Sequence, residues 1–294
     1  MDSTRTEHQD AFEDHRRALL GAAYRVLGTV ADSEDAVQET WLRWQKVDLA
    51  AVRDPRAYLL AAVTRTALNI VRSAERRREA YVGPWLPEPV STGEGADPPR
   101  SVEVADDVSL AMLVVLESLS PLERAGFVLR EVFGSPYEEI AEALGRSEAS
   151  VRQLVRRARE HVRTRAPRYP ADAAAQERVA QLFLGVARGS VALDDLLAVL
   201  SPDIVLTTDA GGHASAARRP ISGVSKVLRF TAGILAKPDT QALSWKVAEV
   251  NGAPALLGHN DGNVDMVVWF EIDGDEVTRV DMVRNPEKLG YVSA

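Results

Sequence analysis

Residues 137–163, YEEIAEALGRSEASVRQLVRRAREHVR, constrain this chain more than any other stretch. Counted from Tyr137, Ile140 and Ala141 fall on the inner face of one helix. Leu144 closes that helix, Gly145 makes a turn, and Val151 and Leu154 point back from a second helix. Glycine adopts the left-handed backbone such a turn demands without a Cβ penalty. Ser147 is placed to cap the second helix, and Glu148 favours its positive end. Outward from it point Arg152, Gln153, Arg156 and Arg157, side chains able to reach base edges and phosphates in a major groove. An ordinary pair of core helices with a solvated basic face does not account for the turn glycine, the small crossing residue, the apolar spacing and the outward charge together.

A chain of 294 residues, 46% of them apolar, has material for two or three domains with real cores. It has no cysteine, so disulfides and thiolate metal sites are excluded, which suits a reducing cytoplasm. Its five histidines are scattered without metal-ligand spacing, and neither a cofactor nor a metal is expected. No apolar run approaches transmembrane length, and the acidic opening MDSTRTEHQD does not read as a signal peptide. The net charge of −8 hides a segregation. Arginines cluster at 72–78 and 152–168, acids at 32–39, 103–107 and 261–281. A local basic stripe matters more for nucleic-acid binding than the total.

Residues 10–78 read as all-helical. One helix is expected from Ala11 to Leu27, ending at Gly28, and a second with Asp32 as its N-cap and Val37, Thr40, Trp41 and Trp44 as its apolar seam. A third opens at Asp54-Pro55 and runs to Arg78. Its buried stripe is Leu59, Ala62, Val63, Thr66 and Ile70. Arg65, Asn69, Arg72 and Arg76 lie in a narrow arc on the other side. Residues 81–107 are dense in Pro, Gly and acid and form a linker. After Pro170 the pattern changes to a helix over 173–189, a strand at 203–209, a helix at 223–236, and β-rich runs at 242–250, 254–259 and 264–272. The last run turns at Asp273-Gly274-Asp275 into a hairpin. Helices against a curved antiparallel sheet make an α+β domain.

These residues resemble a known family. DSEDAVQETWLRW (32–44) resembles the polymerase-clamp segment of a bacterial sigma factor, PRAYLLAAVTRTALNIVRSAERRR (55–78) the helix that melts and reads the −10 element, and 119–163 the domain that reads the −35 element. Together they resemble an extracytoplasmic-function (ECF) sigma factor. The remainder is similar to a subset with a SnoaL-like C-terminal domain, the SigJ-like group. It carries Trp85-Leu86-Pro87-Glu88-Pro89 in the linker and Asn285-Pro286-Glu287-Lys288-Leu289 near the end. Asp209-Ala210-Gly211-Gly212-His213 stands where that group often has Asp-Gly-Gly-Gly-Lys.

The resemblance implies a multidomain chain. Two all-α sigma domains, region 2 over 8–80 and region 4 over 108–168, precede an α+β, cone-shaped SnoaL-like barrel over 171–294. It implies an alternative initiation factor that acts in the cytoplasm, binds core RNA polymerase and promoter DNA, and needs no membrane and no separate anti-sigma factor. The fused domain would take that regulatory role. Asp32, Glu34, Asp35, Gln38, Glu39 and Trp41 would dock on the polymerase clamp. Arg65, Asn69, Arg72, Arg76 and Arg77 would meet the −10 element. Ser147, Ser150, Arg152, Gln153, Arg156 and Arg157 would meet the −35 element. Trp85, Leu86, Pro87, Asn285, Pro286 and Leu289 would make regulatory contacts.

The rival reading is an enzyme or a small-molecule sensor fused to a DNA-binding module. On that reading Asp209, His213, His259, Asp265 and Asp281 would line a C-terminal cavity. A simple helix-turn-helix regulator is disfavoured by the acidic segment followed by the arginine stripe.

Overall fold

The chain divides into two units, Met1–Glu79 with Met112–Ala166, and Ala80–Ala111 with Pro167–Ala294. The computed structural model describes residues 2–78, 81–92, 108–165, 172–214 and 216–293, the side chains of 2–5 and 74–78 excepted.

In the first unit, α1 (Asp2–Glu13), α2 (Arg16–Leu27), α3 (Val30–Trp44) and α4 (Pro55–Arg78) form a bundle around Leu19, Ala23, Leu59, Leu60 and Val63. The single helix expected from Ala11 to Leu27 is therefore two. The break at Asp14-His15 lets Phe12 turn onto Trp41, ring centroids 5.0 Å apart, while Leu19 and Leu20 stay buried. The start of α3 also differs from the expectation at Asp32. Thr29 takes the extended N-cap position, and its hydroxyl donates to Asp32 Oδ2 at 2.8 Å, so the acid supports the first turn from inside it. Asp54 caps α4 as expected, accepting from the Arg56 and Ala57 amides. Gly28 ends α2 at φ +75°, a conformation that favours glycine.

Region 108–165 supplies α5 (Leu110–Glu117), α6 (Pro121–Phe127, continued by a π-turn over Val128–Val132), α7 (Tyr137–Leu144) and α8 (Glu148–Arg165). Ahead of Pro121, Ser120 donates its amide and its hydroxyl to Glu123 Oε2 at 3.3 and 2.6 Å. Gly145 takes φ +61°, as the turn between α7 and α8 requires. Ile140, Ala141, Val151 and Leu154 are all buried, as the spacing predicts. Val155 and Ala158 extend the buried face of α8 one turn further than the sequence suggested.

The second unit holds α9 (Ala173–Ala187), β1 (Leu200–Asp209), β2 (Ile221–Ser222), α10 (Val224–Leu235), α11 (Pro238–Gln241), β3 (Ser244–Val250), β4 (Ala253–Asn260), β5 (Asn263–Asp273) and β6 (Glu276–Val283). The strands form one sheet in the order β2-β1-β6-β5-β4-β3. The sheet is not purely antiparallel, since β1 runs parallel to β6. These strands are far apart in sequence, so no hairpin fixes their sense. Three turns, Asn251-Gly252, Asp261-Gly262 and Gly274 with its neighbours, join β3 through β6 with positive φ. Leu206, Leu256, Met266, Val268 and Val280 line the face that packs on α9 and α10.

Candidate nucleic-acid interface

Helix α8 presents six arginines and two glutamates, and the order of its ion pairs sorts them. Gln153 and Arg156 are exposed and have no hydrogen-bond or ion-pair partner among the described residues. Arg152 is held at both ends, paired with Glu148 and laid over the Tyr137 ring at 4.3 Å. Arg157 donates to Glu123 at 2.8 Å and Arg159 to Glu131 at 2.7 Å. Burial pushes the Glu123 carboxyl up, but hydrogen bonds from Ser120 and Arg157 outweigh it and hold the group below the usual carboxylate range. Ser147 caps α8, accepting from the Ser150 amide at 3.3 Å, and Ser150 is half-buried beside it.

On α4, Arg65, Asn69 and Arg72 share an exposed face, as the spacing predicts. Arg76 and Arg77 lie outside the residues whose side chains are described. Arg65 is engaged. Its Nε donates to the Ala143 carbonyl at 3.0 Å and its Nη2 to the Glu142 carbonyl at 3.2 Å, both at the C-terminal end of α7. A guanidinium on the last carbonyls of a helix satisfies orphan acceptors and meets the negative end of the dipole. A second arginine does the same in the opposite direction. Arg124 on α6 is buried and donates to Val26 O at the end of α2, to Glu117 O at the end of α5, and to both Glu117 carboxylate oxygens at 2.9 and 3.0 Å. Gly28 stands against this pair. A Cβ there would lie 2.6 Å from Glu117 Oε1. Each helical half of the unit thus caps a helix of the other with an arginine. The sequence gives no sign of Arg124 beyond its being a charge on an apolar face.

The acidic face of α3 is real. Asp35, Gln38 and Glu39 are exposed, Asp32 and Glu34 are half-buried, and Glu39 pairs with Arg43. Trp41 is half-buried on Phe12. Leu42, which sequence reasoning passed over, is 54% exposed one turn from Gln38 and Glu39. An aliphatic side chain left in water inside an acidic surface was legible in the i, i+3, i+4, i+7 spacing from Asp35.

In the second unit the two short motifs meet. Lys288 Nζ is buried 2.7 Å from Asp209 Oδ2, donates to Leu86 O at 2.6 Å, and lies 3.1 Å from the centroid of the Trp85 ring. Asp209, with no exposed side-chain surface, also accepts from the Leu86 amide at 2.8 Å and from the Tyr81 hydroxyl. Asn285 Nδ2 donates to the Tyr81 oxygen at 2.9 Å. Burial, then the adjoining Asp209 carboxylate, raise the Tyr81 phenol above its usual range. Gly211, at φ +57°, leaves room for Asn285, whose amide a Cβ would approach to 2.6 Å. Pro87 and Leu289 are buried, and Pro286 starts the 3-10 turn that presents Lys288.

Further along, Val90 exchanges hydrogen bonds with Asn251, Ser91 N donates to Tyr291 O, and Thr92 N to Glu249 O. Residues 81–92 are thus a strap bonded to the C-terminal unit. Tyr81, Asn251 and Lys288 are the members that sequence reasoning missed. Asn251 was visible only as the Asn-Gly of a tight turn.

The five polar candidates for C-terminal chemistry do not converge. None of Asp209, His213, His259, Asp265 and Asp281 lines the cavity between α9, α10 and the sheet. Asp265, next to the cavity-lining Met266 on β5, pairs with Arg284, and Asp281, between the cavity-lining Val280 and Met282 on β6, pairs with Arg279. Among the described residues no group of three or more His, Asp or Glu side chains is placed to hold a metal ion, and no helix is long and apolar enough to cross a membrane.

Two helical modules of this kind in one chain, one presenting an acidic helix and an arginine stripe, the other an arginine-lined helix-turn-helix, define a transcription initiation subunit of the sigma-70 class. Residues 11–77 match sigma-70 region 2 and residues 109–162 sigma-70 region 4. The chain is 45% identical over 227 residues to the ECF RNA polymerase sigma factor SigJ of Mycobacterium tuberculosis (strain ATCC 25618 / H37Rv), spanning 76% of this chain and 72% of that protein. It is 29% identical over 286 residues to the probable ECF RNA polymerase sigma factor SigI of the same organism, spanning 97% and 95%. The crystal structure of M. tuberculosis extracytoplasmic function sigma factor SigJ superimposes with a TM-score of 0.75 at 37% identity, covering 94% of this chain and 96% of that one. The chain belongs to the ECF sigma factor family. Its two helical regions are those with which sigma factors bind core RNA polymerase and recognise promoters.

Proposed function

We propose that this initiation factor is held closed by its own arginines, and that the C-terminal domain, acting through the strap, governs its opening in place of a separate anti-sigma factor. The observation that carries this reading is the engagement of Arg65. A residue expected to meet −10 DNA is bonded instead to the helix-turn-helix that reads the −35 element. The two elements lie about 25 base pairs apart, roughly 85 Å of duplex. Region 2 and region 4 in mutual contact do not span that distance, so promoter reading requires the arginine caps to part.

The strap sets how far they part. Residues 79–109 fully extended reach roughly 110 Å. With 81–92 pinned to the C-terminal domain, residues 93–107 alone reach at most roughly 50 Å. Gln153 and Arg156 read base edges, Arg152 and Arg157 turn to DNA once their glutamates release them, and Asp35, Gln38, Glu39 and Leu42 dock on the clamp. The factor works in the cytoplasm, where polymerase and DNA are. It catalyses no reaction of its own, a reading supported by the dispersal of the five acid–base candidates away from the cavity.

The chain has no cysteine, so Glu13→Cys with Glu160→Cys permits clean labelling for distance measurement. The distance between α1 and α8 should be narrowly distributed in the free chain, and should lengthen on binding core polymerase and promoter DNA. An unchanged distance in the promoter complex contradicts the closed-to-open reading.

A further inference from the structure

The second unit encloses a cavity of about 60 Å³ between α9, α10 and the sheet. Its walls are almost wholly hydrocarbon and thioether, with Leu206, Leu256, Met266, Val268, Val280 and Met282 on the sheet side. No lining side chain titrates in the ordinary range. One polar feature stands out. Thr240 is 2% exposed, lines the cavity, and its Oγ1 has no hydrogen-bond partner. Protein interiors close voids of this size and pair buried hydroxyls, and this one does neither. The rim is accessible. Phe183, Phe230 and Thr231 are half-buried at the edge, on α9 and α10.

We propose that this cavity is a binding site for a small, uncharged, largely apolar molecule carrying one hydrogen-bonding group, which meets Thr240. A charged ligand would lose its hydration without a compensating partner. A ligand larger than a few heavy atoms enters by displacing Met266 and Met282, whose unbranched thioethers repack readily. The ligand is bound and not transformed, since no acid or base reaches it. This inference is independent of the closed-state reading above, because it concerns the interior of one domain.

The protein supplies its own reporters. It has four methionines, Met1, Met112, Met266 and Met282, of which the last two line the cavity. The full chain carrying ¹³C-methyl methionine is titrated with xenon, toluene and phenol and followed by NMR. Saturable shifts at Met266 and Met282, with Met1 and Met112 still, are the expected result. In Thr240→Val the phenol-to-toluene affinity ratio should fall about fivefold, the worth of one hydrogen bond. Ala187→Leu, which fills the cavity with carbon, should abolish the shifts, and it decides the matter if the valine variant does not fold. Linear, unsaturated shifts, shifts equal at Met112, or an unchanged ratio in folded Thr240→Val would overturn the proposal.

Discussion

Arg65 donates from Nε to the carbonyl of Ala143 across 3.0 Å, joining a helix of region 2 to the end of a helix in region 4. Its side chain is 44% exposed and its companion ion pair with Glu142 is 3.7 Å long, so the contact is worth only about 1 kcal/mol. A contact this weak is one that DNA and polymerase can displace. Arg65→Ala should therefore leave stability nearly unchanged while broadening the α1–α8 distance distribution of the free chain. A distribution identical to the parent's would show that Arg65 does not hold the closed state.

The opposite cap, Arg124 with Glu117, is buried and of a different kind. Arg124→Met should destabilise the first unit by about 3–5 kcal/mol, because it takes the bidentate partner from the Glu117 carboxylate and uncaps two helices. Arg124→Met combined with Glu117→Met should recover much of the loss. Urea unfolding of the three proteins checks this. Equal losses in the single and double variants would place the cost elsewhere.

On the DNA face, the ion pairs divide the arginines into free and held. Gln153→Ala and Arg156→Ala should each change the sequence selected from a promoter library at one or two −35 positions. Arg157→Ala should weaken binding across all sequences and reduce its salt dependence. A selected −35 sequence identical to the parent's in both of the first two variants contradicts their role as base readers.

Glu271, on β5, is pushed up to about 6 from an ordinary 4.5 by burial and the neighbouring Asp281 and Asp273 carboxylates, against the opposing pull of Arg279. In the unfolded chain it returns to the ordinary value. Below about pH 4.5 it is protonated in both states and costs nothing. Above pH 6 it is ionised in both, and only the folded state bears the desolvation. Stability of the second unit should thus fall as pH rises through that window, by about 1 kcal/mol after screening. Glu271→Gln should raise the melting temperature near pH 7 and leave it unchanged near pH 4.5. No gain near pH 7 would contradict the shift.

The architecture was legible where periodicity is strong. The helix-turn-helix, the Asp54 and Ser120 caps, and the hairpin of β5 and β6 all follow from local chemistry. What escaped depends on partners far apart in sequence. The split at Asp14 follows from Phe12 needing Trp41, the parallel pairing of β1 with β6 from a crossover between strands far apart in sequence, and the burial of Lys288 from Asp209 and Trp85. The two short motifs meet through Asn285 and Trp85, which the sequence singled out, and through Tyr81, Asp209 and Lys288, which the expected contact set lacked. Lysine is so rarely buried that sequence favours its neighbours.

The strap's attachment to Asp209 and Lys288 gives the most direct test of C-terminal control. Run-off transcription with core polymerase is measured for the parent, for Lys288→Met, for Trp85→Ala and for the chain lacking 171–294, with thermal unfolding confirming that the sigma regions remain folded in each. Both point variants should release the strap, lengthen the tether and raise transcription above the parent's, and the truncation should depart strongly from it. Parent-level or lower transcription from folded Lys288→Met and Trp85→Ala would contradict control through the strap.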